Sequence, residues 1–123
     1  MGSFRDLIVF QKAFELALDL FEASKTFPQE EKYGLVKQIR NSSRSVCSCI
    51  GEGYRKRIYE KHFVAKISDA DMENTETQVW LDFALAHGYL EKSTYETFLE
   101  RSREIGRMLD HMIKYPEKFK RKT

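Results

Sequence analysis

Apolar residues recur along the chain at the three- and four-residue spacing of amphipathic helices, in four successive blocks. In the first, from Asp6 to Lys25, Phe10, Ala13, Phe14, Ala17, Leu20 and Phe21 share one face, and Lys12, Glu15, Asp19 and Glu22 fill the other. This helix is expected to stop near Thr26-Phe27-Pro28, because a residue before proline is disfavoured in the α region. Pro28 suits the first turn of a second helix, capped by Thr26 or Phe27, and Glu30 and Glu31 complement its dipole. Its inner stripe reads Leu35, Ile39, Ser42, Val46, Cys49 or Ile50, and Gly53. Small residues at Ser42, Ser43, Ser45 and Gly51 allow a close neighbour, and Gly51 and Gly53 mark the expected end.

The third block runs from Arg57 to His87 and predicts a helix of about 30 residues and about 45 Å. Phe63, Ile67, Ala70, Asn74, Thr77, Leu81, Ala84 and Leu85 line its inner face, and Gly88 supplies a left-handed stop. Ser93 opens the fourth helix, with Glu96 placed for a capping box. Tyr95, Phe98, Leu99, Ser102, Ile105, Leu109, Met112 and Ile113 face inward, and Pro116 ends the helix. Short connections force neighbouring helices to run antiparallel. The reading is therefore all-α, an antiparallel up-down-up-down four-helix bundle forming a single domain over residues 1–123, with a frayed basic tail at 117–123.

Composition sharpens this. A chain of 123 residues can bury a core without a metal or disulfide, and 33% charged residues are offset by nine Phe, six Tyr and one Trp. Net charge is only +2, but the signs are blocked. Arg55 to Lys66 holds five Lys or Arg and one Glu, and Asp69 to Asp82 holds five acids and no base. Such blocks favour patch-to-patch contacts. No run is apolar enough for a membrane span and no signal peptide is expected. Cys47 and Cys49 point about 200° apart on a helix and cannot bridge one another. A reducing, cytoplasmic setting follows as an expectation.

Catalytic and metal chemistry find little support. His62, His87 and His111 are scattered, the paired Glu-x-x-His of di-iron bundles is absent, and no phosphate-cradling glycine loop or nucleophile elbow occurs. No enzyme activity, metal or cofactor is expected. Cys47 and Cys49 read as small packing residues, with a reactive thiol near Arg44 as the alternative. Asp69, Glu73 and Glu76 share a helical face that is either a solvated acidic stripe or a weak cation site. Glu76, beside the inner Thr77, is placed to meet Arg40 or Glu52 in a polar network that would fix register.

Two surfaces suggest partners. Lys37, Arg40 and Arg44 share a face of the second helix, and Arg55, Lys56, Arg57 and Lys61 follow at the bend with Tyr54 and Tyr59 interleaved. Arginine with aromatics is chemistry that grips phosphates and stacks on bases, so RNA or DNA is the first candidate partner; a solvated helix corner is the alternative. On the third helix, Val79, Trp80 and Phe83 lie off the inner face and, with Ala86, make that half apolar nearly all round. They form either a subunit interface or a widened monomer core. A protein-interaction scaffold without a nucleic-acid role is the competing function, and no membrane partner is expected.

The opening Phe4-Arg5-Asp6-Leu7-Ile8-Val9-Phe10-Gln11-Lys12-Ala13 resembles the start of the 23S rRNA intervening-sequence protein family. So do Phe27-Pro28, Glu31-Lys32-Tyr33-Gly34-Leu35, Gln38-Ile39-Arg40, Ser45-Val46, Ile50-Gly51-Glu52-Gly53, Glu76-Thr77-Gln78-Val79 and His87-Gly88-Tyr89-Leu90, in family order. The chain departs at Cys47, Cys49, Gly51, Ala70-Asp71 and Asn74, where the family usually has Pro, Asn, Ala, Gly-Ser and Glu; these changes bear on any polar network around Glu52 and Glu76. The resemblance implies a four-helix bundle assembled as a homo-oligomeric ring, apparently a pentamer. It also implies similarity to the accessory protein of diversity-generating retroelements, which binds nucleic acid and a reverse transcriptase.

Overall fold

The computed structural model describes residues 2–120, and among them every regular element is helical. Four long helices, α1 (Ile8–Ser24), α2 (Leu35–Arg55), α3 (Glu60–Ala86) and α4 (Lys92–Lys114), are joined by short connections. Single 3-10 turns stand at Phe4–Asp6, Gln29–Glu31 and Pro116–Phe119. Helix α2 packs on α1 and α3, and α4 packs on α3 and closes against α1, as in an up-down-up-down bundle. Among the described residues no helix is long and apolar enough to cross a membrane.

The centre of the bundle is narrow. Ala13 and Leu16 of α1, Ser43 and Val46 of α2, Asn74 and Thr77 of α3 and Ile105 of α4 meet in one layer and leave a void of only about 10 Å³. Short side chains bring the axes close, and the buried polar atoms among them cross-link the helices. Ser42 Oγ and Thr77 Oγ1 are 2.8 Å apart. Asn74 Nδ2 donates to the Ser102 carbonyl at 2.9 Å, Ser102 Oγ donates to Asn74 Oδ1 at 2.9 Å, and Gln78 Nε2 donates to Ser102 Oγ. Among the described residues no buried side-chain polar atom lacks a partner, as a low-dielectric interior requires. Larger apolar groups, including Leu20, Ile39, Ile50, Phe63, Ile67, Leu81 and Leu109, fill the layers above and below.

This narrow waist corrects the reading of α1. Its buried face is Val9, Ala13, Leu16, Ala17, Leu20 and Ser24, one residue round from the expected stripe. Phe10 and Phe21 are half-buried and Phe14 is 48% exposed. Leu16, Val46, Asn74 and Ile105 with the smaller Ala13, Ser43 and Thr77 already fill the central layer and leave no room for phenyl rings, which lie along the outer edge.

Helix boundaries differ where side chains cap in unexpected ways. Neither Thr26 nor Phe27 caps α2: Thr26 Oγ1 donates back to the Ala23 carbonyl at the end of α1, and Phe27 is buried against Tyr89. Glu31 performs the task from the preceding 3-10 turn, accepting the Leu35 N–H at 3.0 Å and the Tyr89 hydroxyl at 2.9 Å. Gly51 and Gly53 do not end α2, which continues to Arg55. Gly53 is there for proximity, since a Cβ on it would stand 2.9 Å from Ile67 Cδ1 of α3. Helix α3 starts at Glu60, after a turn in which the Tyr59 N–H donates to the Lys56 carbonyl.

Gly88 behaves as read. Its φ of 77° lets the Gly88 and Tyr89 N–H groups donate to the Leu85 and Ala84 carbonyls, a Schellman end. The Ser93–Glu96 box does not form, because α4 already begins at Lys92 behind buried Leu90. A capping box instead closes the Ser3–Asp6 turn. After Pro116 the chain folds back rather than fraying: Phe119 stacks on buried Phe63 with centroids 6.0 Å apart. The tail bases Arg121 and Lys122 lie outside the described residues.

Two consequences can be measured. Asn74→Ala leaves the Ser102 carbonyl without its donor, and it is expected to cost about 1–3 kcal/mol, read as a lower urea midpoint at fixed protein concentration; an unchanged midpoint would refute the cross-link. The hydrogen bonds from Leu35 and Tyr89 hold the Glu31 carboxyl below its ordinary 4.5. A carboxyl depressed in the folded state stabilises above its unfolded pKa and loses that contribution as pH falls through the folded value. The stability gap between the parent and Glu31→Gln is therefore expected to be full at neutral pH and to close as pH falls below the ordinary 4.5 and through the lowered folded-state value. A gap independent of pH would contradict this capping role.

Candidate nucleic-acid and subunit interfaces

The seven basic residues singled out on α2 and its following turn do not form one corner. Lys37 and Arg55 are separated by about 27 Å along the helix. Arg40 sits at the α1 end of the molecule and is committed to structure. Its Nε donates to Ser24 Oγ at 2.8 Å, its Nη2 donates to the Phe21 carbonyl at 3.2 Å, and its guanidinium lies 4.1 Å over the Phe21 ring. It closes the C-terminus of α1, where free carbonyls attract a cation. Arg44, exposed, stands 5.2 Å from the same ring.

The second cluster gathers where α2 ends. Arg57 Nη1 donates to the Tyr54 carbonyl at 2.8 Å, and its guanidinium covers the Tyr54 ring at 3.9 Å. That face of Tyr54 is thus occupied by the protein's own arginine. Tyr59, beside His62, is exposed, as are Arg55, Lys56 and Lys61. Sequence reasoning missed Arg5. The Phe4 ring packs over Gly51, where an added Cβ would stand 3.6 Å from it. This draws the N-terminal turn onto α2, so that Arg5 joins Tyr54, Arg55, Arg57 and Ile58 around a cleft of about 420 Å³.

One property unites these cations. Among the described residues Lys12, Lys25, Lys66, Lys92, Arg101, Arg107 and Lys114 each have a carboxylate within 4.0 Å. Arg5, Lys37, Arg40, Arg44, Arg55, Lys56, Arg57 and Lys61 are absent from those pairs, as are the more scattered Lys32, Arg103, Lys118 and Lys120. The nearby Glu52 is engaged by Lys66 at 3.0 Å.

The expected network of Arg40, Glu52 and Glu76 is not assembled. Glu76 accepts the Trp80 indole N–H at 3.2 Å, Glu52 holds Lys66, and Arg40 holds α1. The physical reason is burial: the interior is cross-linked by neutral Ser, Thr, Asn and Gln, which avoid the desolvation cost of buried charge. On the acidic face of α3, burial and the neighbouring Glu76 and Asp69 carboxylates push Glu73 above its usual range. Among the described residues no three His, Cys, Asp or Glu side chains stand close enough to hold a metal.

Two apolar surfaces remain. On α3, Met72, Val79 and Phe83 are 68%, 42% and 48% exposed and share one face. Trp80 is half-buried against the core, with its ring 5.9 Å from Phe83. The other surface was not foreseen. Phe4, Phe10, Phe14, Leu18 and Phe21 face Cys47, Ser48 and Gly51 of α2 across a groove of about 870 Å³, with Arg44, Arg55, Glu22 and Glu52 on its margins. Its rings pack on each other, Phe4 edge-on to Phe10 at 4.9 Å and Phe10 stacked with Phe14 at 5.9 Å. Burial pushes the Cys47 thiol up to about 11, so at neutral pH it is a protonated wall group rather than a nucleophile. The signal for the groove was present in α1, which carries apolar residues nearly all round from Ile8 to Phe21.

Residues 5–111 match the family model described as 23S rRNA-intervening sequence protein. A crystal structure of a protein of unknown function from the S23 ribosomal protein family of Bacteroides thetaiotaomicron is similar to this chain. Identity is 29%, the TM-score is 0.79, and the likeness covers 87% of this chain and 96% of that one. No curated protein matches.

Proposed function

The chain belongs to the 23S rRNA-intervening sequence protein family, and we propose that it is a non-enzymatic, self-associating bundle that binds RNA or DNA through the cations of α2 and the α2–α3 turn. The observation that carries this reading is that none of the cations from Lys37 to Lys61 has a carboxylate within 4.0 Å, so that together they form the densest run of unpaired positive charge among the described residues. An unpaired guanidinium or ammonium keeps its donors for phosphate oxygens, and phosphate contacts supply most sequence-independent affinity. Arg40 is set aside for α1, so Lys37, Arg44, Arg55, Lys56, Arg57 and Lys61 carry the binding, and exposed Tyr59 is the stacking group. The free cysteines suit a reducing, cytoplasmic compartment.

Assembly supplies what one protomer lacks. The α3 stripe from Met72 to Phe83 and the α1 groove from Phe10 to Phe21 each run about 16 Å. Acids Glu76 and Asp82 flank the stripe; Arg44 and Arg55 line the groove together with Glu22 and with Glu52, which Lys66 already engages, so the match between the two surfaces is chiefly apolar. Two different complementary surfaces on one chain make a head-to-tail contact, which closes into a ring; the family resemblance favours five subunits. Repeating the basic edge around a ring multiplies weak phosphate contacts into useful avidity. A second reading rests on the unanswered acids of α3: Asp69, Asp71 and Glu73 would then hold a protein partner, and charge reversal there would release it without affecting nucleic acid.

Nucleic-acid binding is tested by fluorescence anisotropy with labelled single- and double-stranded oligonucleotides of about 20 nucleotides at low salt, where counterion release is strongest. Lys56→Glu with Lys61→Glu is expected to weaken binding at least roughly tenfold and to flatten its salt dependence. No binding by the parent, or no change in the variant, would remove the proposal. Assembly is tested by mixing. Phe14→Glu with Leu18→Glu, and separately Val79→Glu with Phe83→Glu, alter exposed positions and should each give folded monomers by circular dichroism and light scattering. An equimolar mixture retains one groove and one stripe and is expected to form a two-chain particle. A parental mass for the α1 variant, or no association on mixing, rules out the head-to-tail contact; a monomeric parent rules out assembly altogether.

A further inference from the structure

We infer that the cleft between the N-terminal turn and the end of α2 is a binding site for a phosphate monoester, held by Arg5, Arg55 and Arg57. Each guanidinium has five N–H donors. Arg5 spends one on Ser3 Oγ at 3.4 Å and Arg57 one on the Tyr54 carbonyl at 2.8 Å. Arg55 and the Tyr54 hydroxyl make no side-chain hydrogen bond among the described residues, and the cleft they line contains no carboxylate. The nearest acid, Asp6, stands at the cleft's edge, where a Cβ on lining Gly2 would be 3.5 Å from Asp6 Oδ2 and 3.0 Å from the Tyr54 hydroxyl; its Oδ2 is engaged by the Ser3 N–H at 3.0 Å, and its single charge offsets only part of three guanidiniums.

Part of this charge has a structural explanation. The C-terminus of α2 favours cations, and Arg57 satisfies one of its last carbonyls. That account does not extend to Arg5, which belongs to a different element and reaches the same cleft because Phe4 is pinned over Gly51. Three like charges around one hollow repel, and an anion seated among them removes that cost.

The arrangement suits a monoester better than a bridging diester. A terminal phosphate carries about −1.5 to −2 charges near neutral pH and three acceptor oxygens, against a single charge on a diester. Planar guanidinium forks match such oxygens two at a time. Two of the three forks are already oriented, Arg5 over Phe4 at 4.4 Å and Arg57 over Tyr54 at 3.9 Å, which lowers the ordering cost of binding. The remaining wall, Ile58, is 42% exposed and offers an apolar surface to the group that bears the phosphate. The monoester is the 5′ end of a nucleic acid or a free nucleotide. The first source rests on the nucleic-acid function proposed above, and the second does not.

The test uses the full chain with two kinds of probe. One oligonucleotide is compared in 5′-phosphorylated and 5′-hydroxyl forms by anisotropy, and adenosine monophosphate and inorganic phosphate are titrated calorimetrically. If the source is a strand end, the phosphorylated form binds about tenfold tighter, as expected for one or two charge-assisted bonds. Arg5→Gln, at an exposed position, then abolishes the difference while leaving the 5′-hydroxyl form unaffected. If the source is a free nucleotide, adenosine monophosphate or phosphate binds, Arg5→Gln or Arg55→Gln weakens it about tenfold, and the strand ends are not distinguished. That result supports the site even where neither oligonucleotide binds and the nucleic-acid function fails. Equal binding of both strand forms, with no titratable binding of either small anion in the millimolar range, overturns the site and leaves the nucleic-acid function standing.

Discussion

The close approach of four helices at a waist of small side chains is the constraint on which the rest of the molecule depends. Ala13, Ser42, Ser43, Thr77 and Ser102 are buried there, and Asn74 spans from α3 to α4 to complete the cross-link. Such a layer contributes little hydrophobic free energy for its volume, since burial scales with apolar area. Its value is register. Ser43 bonds back to its own helix, but Ser42 meets Thr77 and Ser102 meets Asn74 and Gln78 across helix interfaces, and a slip of one residue would leave several of these groups unsatisfied in a dry interior. Gly106 belongs to the same design, because a Cβ there would come within 3.3 Å of Asn74 Nδ2.

A narrow waist also determines where the aromatic residues go. Rings that cannot enter the centre collect at its margins, as Phe10, Phe14 and Phe21 do along α1 and Phe83 does on α3. The apolar groove and the apolar stripe are therefore two results of one packing decision. The charges sort in a parallel way. Lys12 meets Glu104 at 3.3 Å and Arg101 meets Asp19 at 2.8 Å across the α1–α4 seam. These exposed pairs add little stability, but they neutralise that side. Helix α2 has a single acid, Glu52, already held by Lys66, so its cations keep their charge for other ligands.

Much of the architecture was legible in the sequence. The inner faces of α3 and α4 followed from spacing, since only one face of each central segment could be buried with its Ser, Thr and Asn partners. Gly88 was legible because a left-handed turn leaves few residue choices. The α1 face was not, because Val9, Phe10, Ala13, Phe14, Leu16 and Ala17 satisfy two overlapping helical stripes. Side-chain size argued for the wrong one; the volume available depended on Ser42, Ser43 and Thr77, which lie far away in sequence. The caps failed for a related reason. Ser93 and Glu96 have the right spacing, but buried Leu90 sets where the chain enters α4, and Glu31 caps from a turn held by Tyr89 in another connection. For the basic residues, helical spacing correctly grouped Arg40 with Arg44, yet it could not reveal that Arg40 closes α1. Nor could it bring Arg5 to the cleft that Arg55 lines, an arrangement that depends on the contact of Phe4 with Gly51.

That last contact ties the two surfaces together. Phe4 and Arg55 line both the apolar groove and the cationic cleft. The turn bearing Phe4 and Arg5 is held by its own capping box and by the seat over Gly51. A subunit that covers the groove would bear on Phe4, which lines it together with Gly51, and so restrict the turn that presents Arg5. An anion drawn to Arg5 and Arg55 would restrain the same turn from the other end. Whatever free energy one event contributes to ordering these residues is not required again by the other, and linkage makes such coupling reciprocal. In a ring, each groove would lie beside its own cleft, so assembly and phosphate capture would reinforce each other through Phe4 and Arg5 of the N-terminal turn and Arg55 at the end of α2 rather than through the bundle core.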